Sequence, residues 1–404
     1  MDRFEPPPRE TDFTVVGGGI VGLAVARQVL ADNPGARLAL IEAEDRLAAH
    51  QTSHSSGVIH AGVYYAPGSL KARLCREGRD ALFEYCDERG VGYQKNGKLI
   101  VATRESEVAA LDRLEARAKE NGVPGLSRLG ADQIGSVEPH ARGVAAIHSP
   151  GTGVVDFATV AASLADDVEA LGGSVHLSCP VVAVAETDSR LVLTTSRGAN
   201  ATARGVFCAG LQADRLARLC GLEDGPRIVP FRGGYLKLEP RASHLVLGNI
   251  YPVPDPDLPF LGAHLTRTFD GSVLIGPTAM PVLDRHGYRL WSFDGRDARE
   301  SAGWPGTWRL VARHPRATAR EALHSISPRS LVREARRMLP GLSARDVTRG
   351  PAGIRAQALD RDGNLIDDFM VERTGLAVHV LNAPSPAATS ALAIARLVAK
   401  ALET

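Results

Sequence analysis

The segment Thr14-Val-Val-Gly-Gly-Gly-Ile-Val-Gly-Leu-Ala-Val-Ala26 constrains this chain more than any other. It sets Gly17, Gly19 and Gly22 in G-x-G-x-x-G register directly after an apolar strand. A second apolar run, Leu38 to Ile41, follows and ends in Glu42. Each position has a physical reason. Gly17 permits a tight turn, Gly19 lets backbone approach a pyrophosphate, and Gly22 lets helix and strand pack closely. The helix that begins here aims its first N–H groups at phosphates, and Glu42 can accept hydrogen bonds from a ribose. Strand, glycines, helix, strand and acid arrive in order, which predicts a β-α-β unit holding a dinucleotide. The motif alone does not choose between FAD and NAD.

At 404 residues the chain can bury a large core in two or three domains. A net charge of +1 argues against a global attraction to nucleic acid, so any anion must be held by local arginines. The five cysteines include no C-x-x-C pair, which predicts reduced thiols in a reducing compartment. Met1 to Thr11 carries Pro6, Pro7 and Pro8 and no apolar core of a signal peptide. The run Val15 to Ala26 is too short and too glycine-rich to span a bilayer. The expectation is a cytoplasmic protein, with peripheral membrane contact left open.

Further along, Ser69 reads as the N-cap of a helix with Leu70, Leu74, Ala81, Leu82 and Tyr85 on one face. Short strands are expected at 92–93 and 98–102, a helix over 105–121 and another over 157–171. Strands follow at 174–177, 181–185 and 191–195. Arg204 to Gly210 is an apolar strand closed by glycine, then a helix over 212–220, which marks the return of the dinucleotide domain after an insertion. From Arg227 to Gly276 the pattern alternates, broken by Pro252, Pro254, Pro256 and Pro259, as in an antiparallel sheet. Residues 296–339 read as helical with Arg-rich solvated faces, 376–381 as a strand and 386–402 as a helix. The expected fold class is α/β, with a Rossmann-like cofactor domain (12–90, 150–222 and 345–404) interleaved with an α+β substrate domain. That second domain (91–149 and 223–344) is expected to be built on a mostly antiparallel sheet. There is no second G-x-G-x-x-G, which argues against a two-nucleotide disulfide reductase.

Four separated segments carry a resemblance. The first is His50-Gln-Thr-Ser-His-Ser-Ser-Gly-Val-Ile-His-Ala-Gly-Val-Tyr-Tyr-Ala-Pro-Gly-Ser-Leu-Lys-Ala-Arg-Leu-Cys75, and the second is Ile228-Val-Pro-Phe-Arg-Gly-Gly-Tyr-Leu-Lys237. The third runs from Ile250-Tyr-Pro-Val-Pro through Leu258-Pro-Phe-Leu-Gly-Ala-His-Leu-Thr-Arg267 to Gly271-Ser-Val-Leu-Ile-Gly-Pro277. The fourth joins Ala352-Gly-Ile-Arg-Ala-Gln357 to His379-Val-Leu-Asn-Ala-Pro-Ser-Pro-Ala-Ala388. With the glycine fingerprint, these resemble the FAD-dependent L-2-hydroxyglutarate dehydrogenase/oxidase family, among the D-amino-acid-oxidase-like flavoproteins. The resemblance implies FAD as cofactor and oxidation of a carboxylate-bearing alcohol by hydride transfer to flavin N5. It also implies cofactor contacts at Thr52, Ser56, Gly57, Val182, Gly210 and Arg355, and in the stretch Asn382, Pro384, Ser385, Pro386 and Ala387.

Alcohol oxidation needs a base for the hydroxyl proton, and histidine suits it because its ordinary pKa lies near working pH. His60 is the first candidate and His264 the second; His50 and His54 read as structural or cofactor-contacting. A substrate with two carboxylates needs fixed cations, and arginine offers a planar fork. Arg355, among small neighbours, is the expected clamp. Arg232, Lys237 and Arg267 lie on the expected substrate sheet as further candidates, with Tyr64 and Tyr235 as pocket walls. Pro386 is expected to open the last helix, whose positive end would stabilise negative charge on a reduced flavin. The histidines lack ligand spacing for a metal.

Two departures from the family pattern bear on specificity. Gly234-Tyr235-Leu236 stands where the family usually has Glu-Tyr-Tyr, and Ser55 where it commonly has Asn. They keep a second reading open, in which the same scaffold oxidises another alcohol or an amine. A third is a flavin-binding protein without turnover. The electron acceptor, oxygen or quinone, leaves no motif in the sequence.

Overall fold

The computed structural model describes residues 3–254 and 261–403; Pro256 and Pro259, expected to break the substrate strands, lie outside them. The first sheet is built where the glycine motif predicts it. Its central strand, Glu10–Val16, pairs in parallel with Leu38–Ile41 on one side and Gly198–Phe207 on the other. Ser174–His176 extends it beyond Leu38–Ile41, and Ala377–Asn382 beyond Gly198–Phe207, both in parallel. The antiparallel strand Met370–Thr374 closes the far edge. The antiparallel pair Val181–Glu186 and Leu191–Thr195 joins the N-terminal half of Gly198–Phe207.

The parallel strands are apolar along their length because both faces are covered. On one face pack the helices Ile20–Asp32, Leu70–Arg89, Phe157–Ala170 and Ala391–Glu403, around Leu23, Val25, Leu40, Leu82, Leu164 and Ile394. On the other, Leu191, Leu193, Phe207 and Leu216 close a smaller core. The caps follow the sequence. Ser69 accepts from the N–H of Ala72 at 3.1 Å, and the same helix ends at Gly90 in the left-handed region.

The second sheet has nine strands. From one edge the order is Val347–Leu359, Arg227–Leu238, Val273–Gly276, His264–Arg267, Asn249–Pro252, Lys98–Ala102, Ala145–Ser149 and Ser127–Gly130, with Met280–Pro281 also on Arg227–Leu238. All neighbours are antiparallel except Asn249–Pro252 with Lys98–Ala102. Helices spanning Gly295–Gly303, Pro305–Arg313, Pro315–Ile326 and Pro328–Ala335 fill the segment expected to be helical. Leu331, Val332 and Ala335 of the last seal the sheet's core.

Two expectations about the C-terminal part are corrected. The boundary at 345 falls before the strand Val347–Leu359, yet that strand hydrogen-bonds along its length to Arg227–Leu238. The chain rejoins the first sheet only at Met370. The last helix begins at Ala391 rather than Pro386. Residues 385–390 form turns closed by Ala387 N–H to Pro384 O and Ser390 N–H to Pro386 O.

The sheets are bolted together by a buried ion cluster that no motif announced. Arg285, 1 % exposed, donates to both carboxylate oxygens of Asp214 at 2.6 and 3.0 Å. Asp297 and Glu300 complete the group with Arg215. Removing one partner would leave a buried charge uncompensated.

Candidate active site

The glycine turn is built as its chemistry requires. Gly17 has φ +114°, and a Cβ there would stand 2.3 Å from the carbonyl oxygen of Cys208. A Cβ on Gly22 would stand 1.9 Å from Gly17 O, so only glycine lets the helix sit this close to the turn. Gly19 is different: its nearest neighbour would be Thr52 Oγ1 at 3.4 Å, which leaves its surface open to a ligand. Thr52 accepts from the N–H of Ile20 at 3.1 Å. The Glu42 carboxylate accepts from the N–H groups of Gly18 at 2.5 Å and Glu44 at 2.9 Å. The acid is thus held beside the turn by backbone.

A cavity of about 1610 Å³ lies against this turn and continues to the substrate sheet. It exceeds the ~300–1,000 Å³ of an ordinary small-molecule pocket, as a dinucleotide plus a substrate requires. Gly17, Gly19, Glu42, Thr52, Ser56, Val182 and Gly210 line it, as do Asn382, Pro384, Ser385, Pro386 and Ala387. Open backbone at Gly19, the acid at Glu42 and the helix start at Ile20 fit the ribose and pyrophosphate of FAD. Gly22 and Gly57 act from behind the wall: Gly22 packs on Gly17, and a Cβ on Gly57 would strike Val155 O at 2.5 Å. The turns at 385–390 stand on the cavity wall where the start of the last helix was expected.

At the substrate sheet the same cavity is lined by His60, Tyr64, Tyr235, Tyr251, His264 and Arg355. Strand pairing explains several of these. Phe231 pairs with Arg355 and Gly233 with Gly353, and the whole run from Gly353 to Gln357 lines the cavity. Close approach at Gly353, whose Cβ would stand 2.5 Å from His54 O, presses the loop after the second strand onto this sheet.

Burial sets the electrostatics. His264 is 7 % exposed and stacks on Tyr251 with ring centres 4.0 Å apart. Burial, then Lys98 and Arg355, pulls its pKa down to about 3. Its Nδ1 lies 3.0 Å from Gly262 O, which fixes the proton on Nδ1 and leaves Nε2 as a lone pair. His60 is likewise held well below its ordinary pKa by burial and then by Lys98, His264 and Lys71. Its own accessible surface faces the cavity. Both imidazoles are therefore neutral. Tyr235 is raised by burial, with Arg355 and a hydrogen bond to Ser56 opposing.

Three expected substrate cations are elsewhere. Arg232 Nε donates to Tyr288 O at 2.7 Å, Arg267 Nη1 donates to Ser243 O and Val246 O, and Lys237 is exposed. None of the three lines the cavity. The departures at Gly234 and Leu236 are off the wall too. Leu236 is 6 % exposed in the core of the substrate domain, and Gly234 accommodates the Arg232 guanidinium. Ser55 does line the cavity.

Sequence reasoning missed other residues. Lys98, buried beneath Tyr251, sits in the apolar run Lys-Leu-Ile-Val-Ala102 and reads only as strand. Lys71 lines the cavity and donates to Asp367 at 2.7 Å. Contrary to the expectation from spacing, Glu44, His50 and His286 gather with ligand-type atoms within 4.8 Å of one another. His286 is too distant in sequence to suggest it. The imidazoles have protein partners: His50 bridges Glu44 at 2.9 Å and Tyr288 at 3.1 Å, and Gln212 Nε2 donates to His286.

Residues 12–401 match the FAD dependent oxidoreductase (DAO) family. The mitochondrial L-2-hydroxyglutarate dehydrogenase of Caenorhabditis elegans is 45 % identical over 408 residues, covering 97 % of this chain and 94 % of that one. The L-2-hydroxyglutarate dehydrogenase of Escherichia coli is 42 % identical over 394 residues, covering 97 % and 93 %. An FAD-bound L-alpha-glycerophosphate oxidase from Mycoplasma pneumoniae shares the fold, with TM-score 0.81 at 22 % identity over 98 % of this chain and 96 % of that one. With the glycine turn, the cavity and these full-length likenesses in agreement, this chain belongs to the FAD-dependent oxidoreductase family and groups there with the L-2-hydroxyglutarate dehydrogenases.

Proposed function

We propose that the protein oxidises L-2-hydroxyglutarate to 2-oxoglutarate, with His264 as the base and Arg355 holding the carboxylate beside the reacting carbon. The observation that carries the role of His264 is its Nδ1 contact with Gly262 O at 3.0 Å, which leaves Nε2 able to accept the hydroxyl proton. FAD, when bound, supplies the hydride acceptor at its N5. In the resting site the imidazole is a weak base. A substrate with two carboxylates brings negative charge beside it and raises its proton affinity toward working pH. Arg355 offers two parallel donors to one carboxylate and so orients the C–H bond. His60 shares the wall and is the alternative base. Steady-state assay with a dye acceptor tests the reading. Turnover of the L enantiomer and not the D form supports it, and equal rates on both would end it.

The acceptor is proposed to be a membrane quinone reached from a cytoplasmic face. Trp291, Phe293 and Trp308 are exposed on a segment where Arg289, Arg296, Arg309 and Arg316 are also exposed, a pairing suited to anionic headgroups. No helix among the described residues is long and apolar enough to cross a membrane. Co-sedimentation with phosphatidylglycerol vesicles tests this contact; protein remaining in the supernatant at low salt would remove its support.

A further inference from the structure

Two polar atoms at the substrate end have no hydrogen-bond partner among the described residues. The Tyr64 phenol oxygen is buried and unpartnered. Lys98 is 2 % exposed, and no hydrogen bond or carboxylate among those residues acts on it. Its ammonium lies 4.1 Å from the centre of the Tyr251 ring and 5.3 Å from that of Tyr64. Both rings line the cavity. A buried amine without a counter-ion is costly, and burial pulls Lys98 down to about 7. Contacts with two ring faces recover only a part of that cost. One orphaned donor on the wall, Tyr64, and a second, Lys98, set behind the two rings that line it, call for an occupant that accepts from both.

We propose that Lys98 and Tyr64 form a second carboxylate subsite, which takes the distal carboxylate of a dicarboxylic 2-hydroxy acid. The inference rests on the hydroxyglutarate reading and names the residues that distinguish it from a monocarboxylate. In the sheet, the strand carrying His264 lies between those carrying Lys98 and Arg355. Both cations disfavour the charged form of His264, so the imidazole lies within electrostatic reach of each. A substrate spanning the two subsites would place its hydroxyl-bearing end toward Arg355 and its far carboxylate toward Lys98. The Lys98 N–H and the Tyr64 O–H would then each donate to that carboxylate, whose charge keeps the amine protonated.

The test compares L-2-hydroxyglutarate with L-2-hydroxybutyrate, which lacks the distal carboxylate, in holoenzyme carrying Lys98→Met or Tyr64→Phe. Lys98→Met should lower kcat/KM on the dicarboxylate about 100-fold, chiefly through KM, and Tyr64→Phe about tenfold. Tyr64→Phe should not lower the monocarboxylate constant more than about threefold, and Lys98→Met, which also removes a charge that holds His264 low, should leave the KM for the monocarboxylate within about threefold. Tyr64→Phe deletes one oxygen, so it retains the fold even if Lys98→Met does not. Binding of glutarate and butyrate, read from the flavin spectrum, gives the same comparison without turnover. A wild-type enzyme that bleaches with neither hydroxy acid yet binds glutarate through Lys98 would sink the substrate reading and keep the subsite. Equal losses on both ligands, or no loss on either, would overturn the subsite.

Discussion

Replacing His264 with Gln should change how the protein's stability responds to acid, by an amount that follows from burial. The folded pKa of His264 is pulled to about 3, first by burial and then by Lys98 and Arg355, against about 6.5 in the unfolded chain. Between those values the unfolded chain binds a proton that the folded chain refuses. The contribution to stability is therefore intact above pH 6.5 and is lost as pH falls. From about pH 7.5 to about pH 5 one such histidine removes about 2 kcal/mol. That figure barely depends on the folded value, because a pKa near 3 is already far below 5. His60 and His379, both held low mainly by burial, act in the same direction and remain in the variant. Urea unfolding of holoenzyme at the two pH values, for wild type and His264→Gln, isolates the difference. The wild type should lose about 2 kcal/mol more than the variant on acidification. Equal losses would mean that His264 takes up a proton at its ordinary pKa, and a neutral resting base would have to be abandoned.

Two further outcomes follow from the site. Gly22→Ala places a Cβ 1.9 Å from Gly17 O, so the turn must open. Purified protein should keep its far-UV circular dichroism and lose FAD affinity by at least about tenfold, from overpacking of about 1–3 kcal/mol; wild-type flavin retention would contradict the tight-turn argument. Arg355→Lys keeps the charge and loses the fork, which should lower kcat/KM about 100-fold for L-2-hydroxyglutarate. An unchanged constant would show that Arg355 does not clamp the substrate.

The cofactor turn was legible because its chemistry lives in consecutive residues: Gly17, Gly19, Gly22 and Glu42 lie within one β-α-β unit and need no distant partner. The helix beginning after Ser69 was legible for the same reason, since its cap is local. The substrate wall was legible only in part. Alternation along a strand tells that Arg232 and Lys237 sit among residues of alternating face, but not which face meets the cavity, and the structure turns them away from it. The Val347–Leu359 strand was misplaced because an isolated strand does not carry the identity of its sheet; eleven residue pairs with Arg227–Leu238 decide it. Lys98 was hidden by its apolar neighbours, and the Glu44, His50 and His286 cluster and the Arg285–Asp214 pair join residues distant in sequence. His60, His264 and Arg355, singled out from the sequence for their chemistry, line one cavity, which spacing alone could not have established.

The most direct test is anaerobic rapid mixing of the holoenzyme with L-2-hydroxyglutarate, following loss of the oxidised-flavin band, with the D enantiomer as control. Rapid bleaching by the L form alone, slowed about 100-fold or more in His264→Gln, is the predicted result. Flavin that neither enantiomer bleaches would contradict the assigned substrate. Undiminished bleaching in His264→Gln would move the base to another residue, with His60 the first to replace.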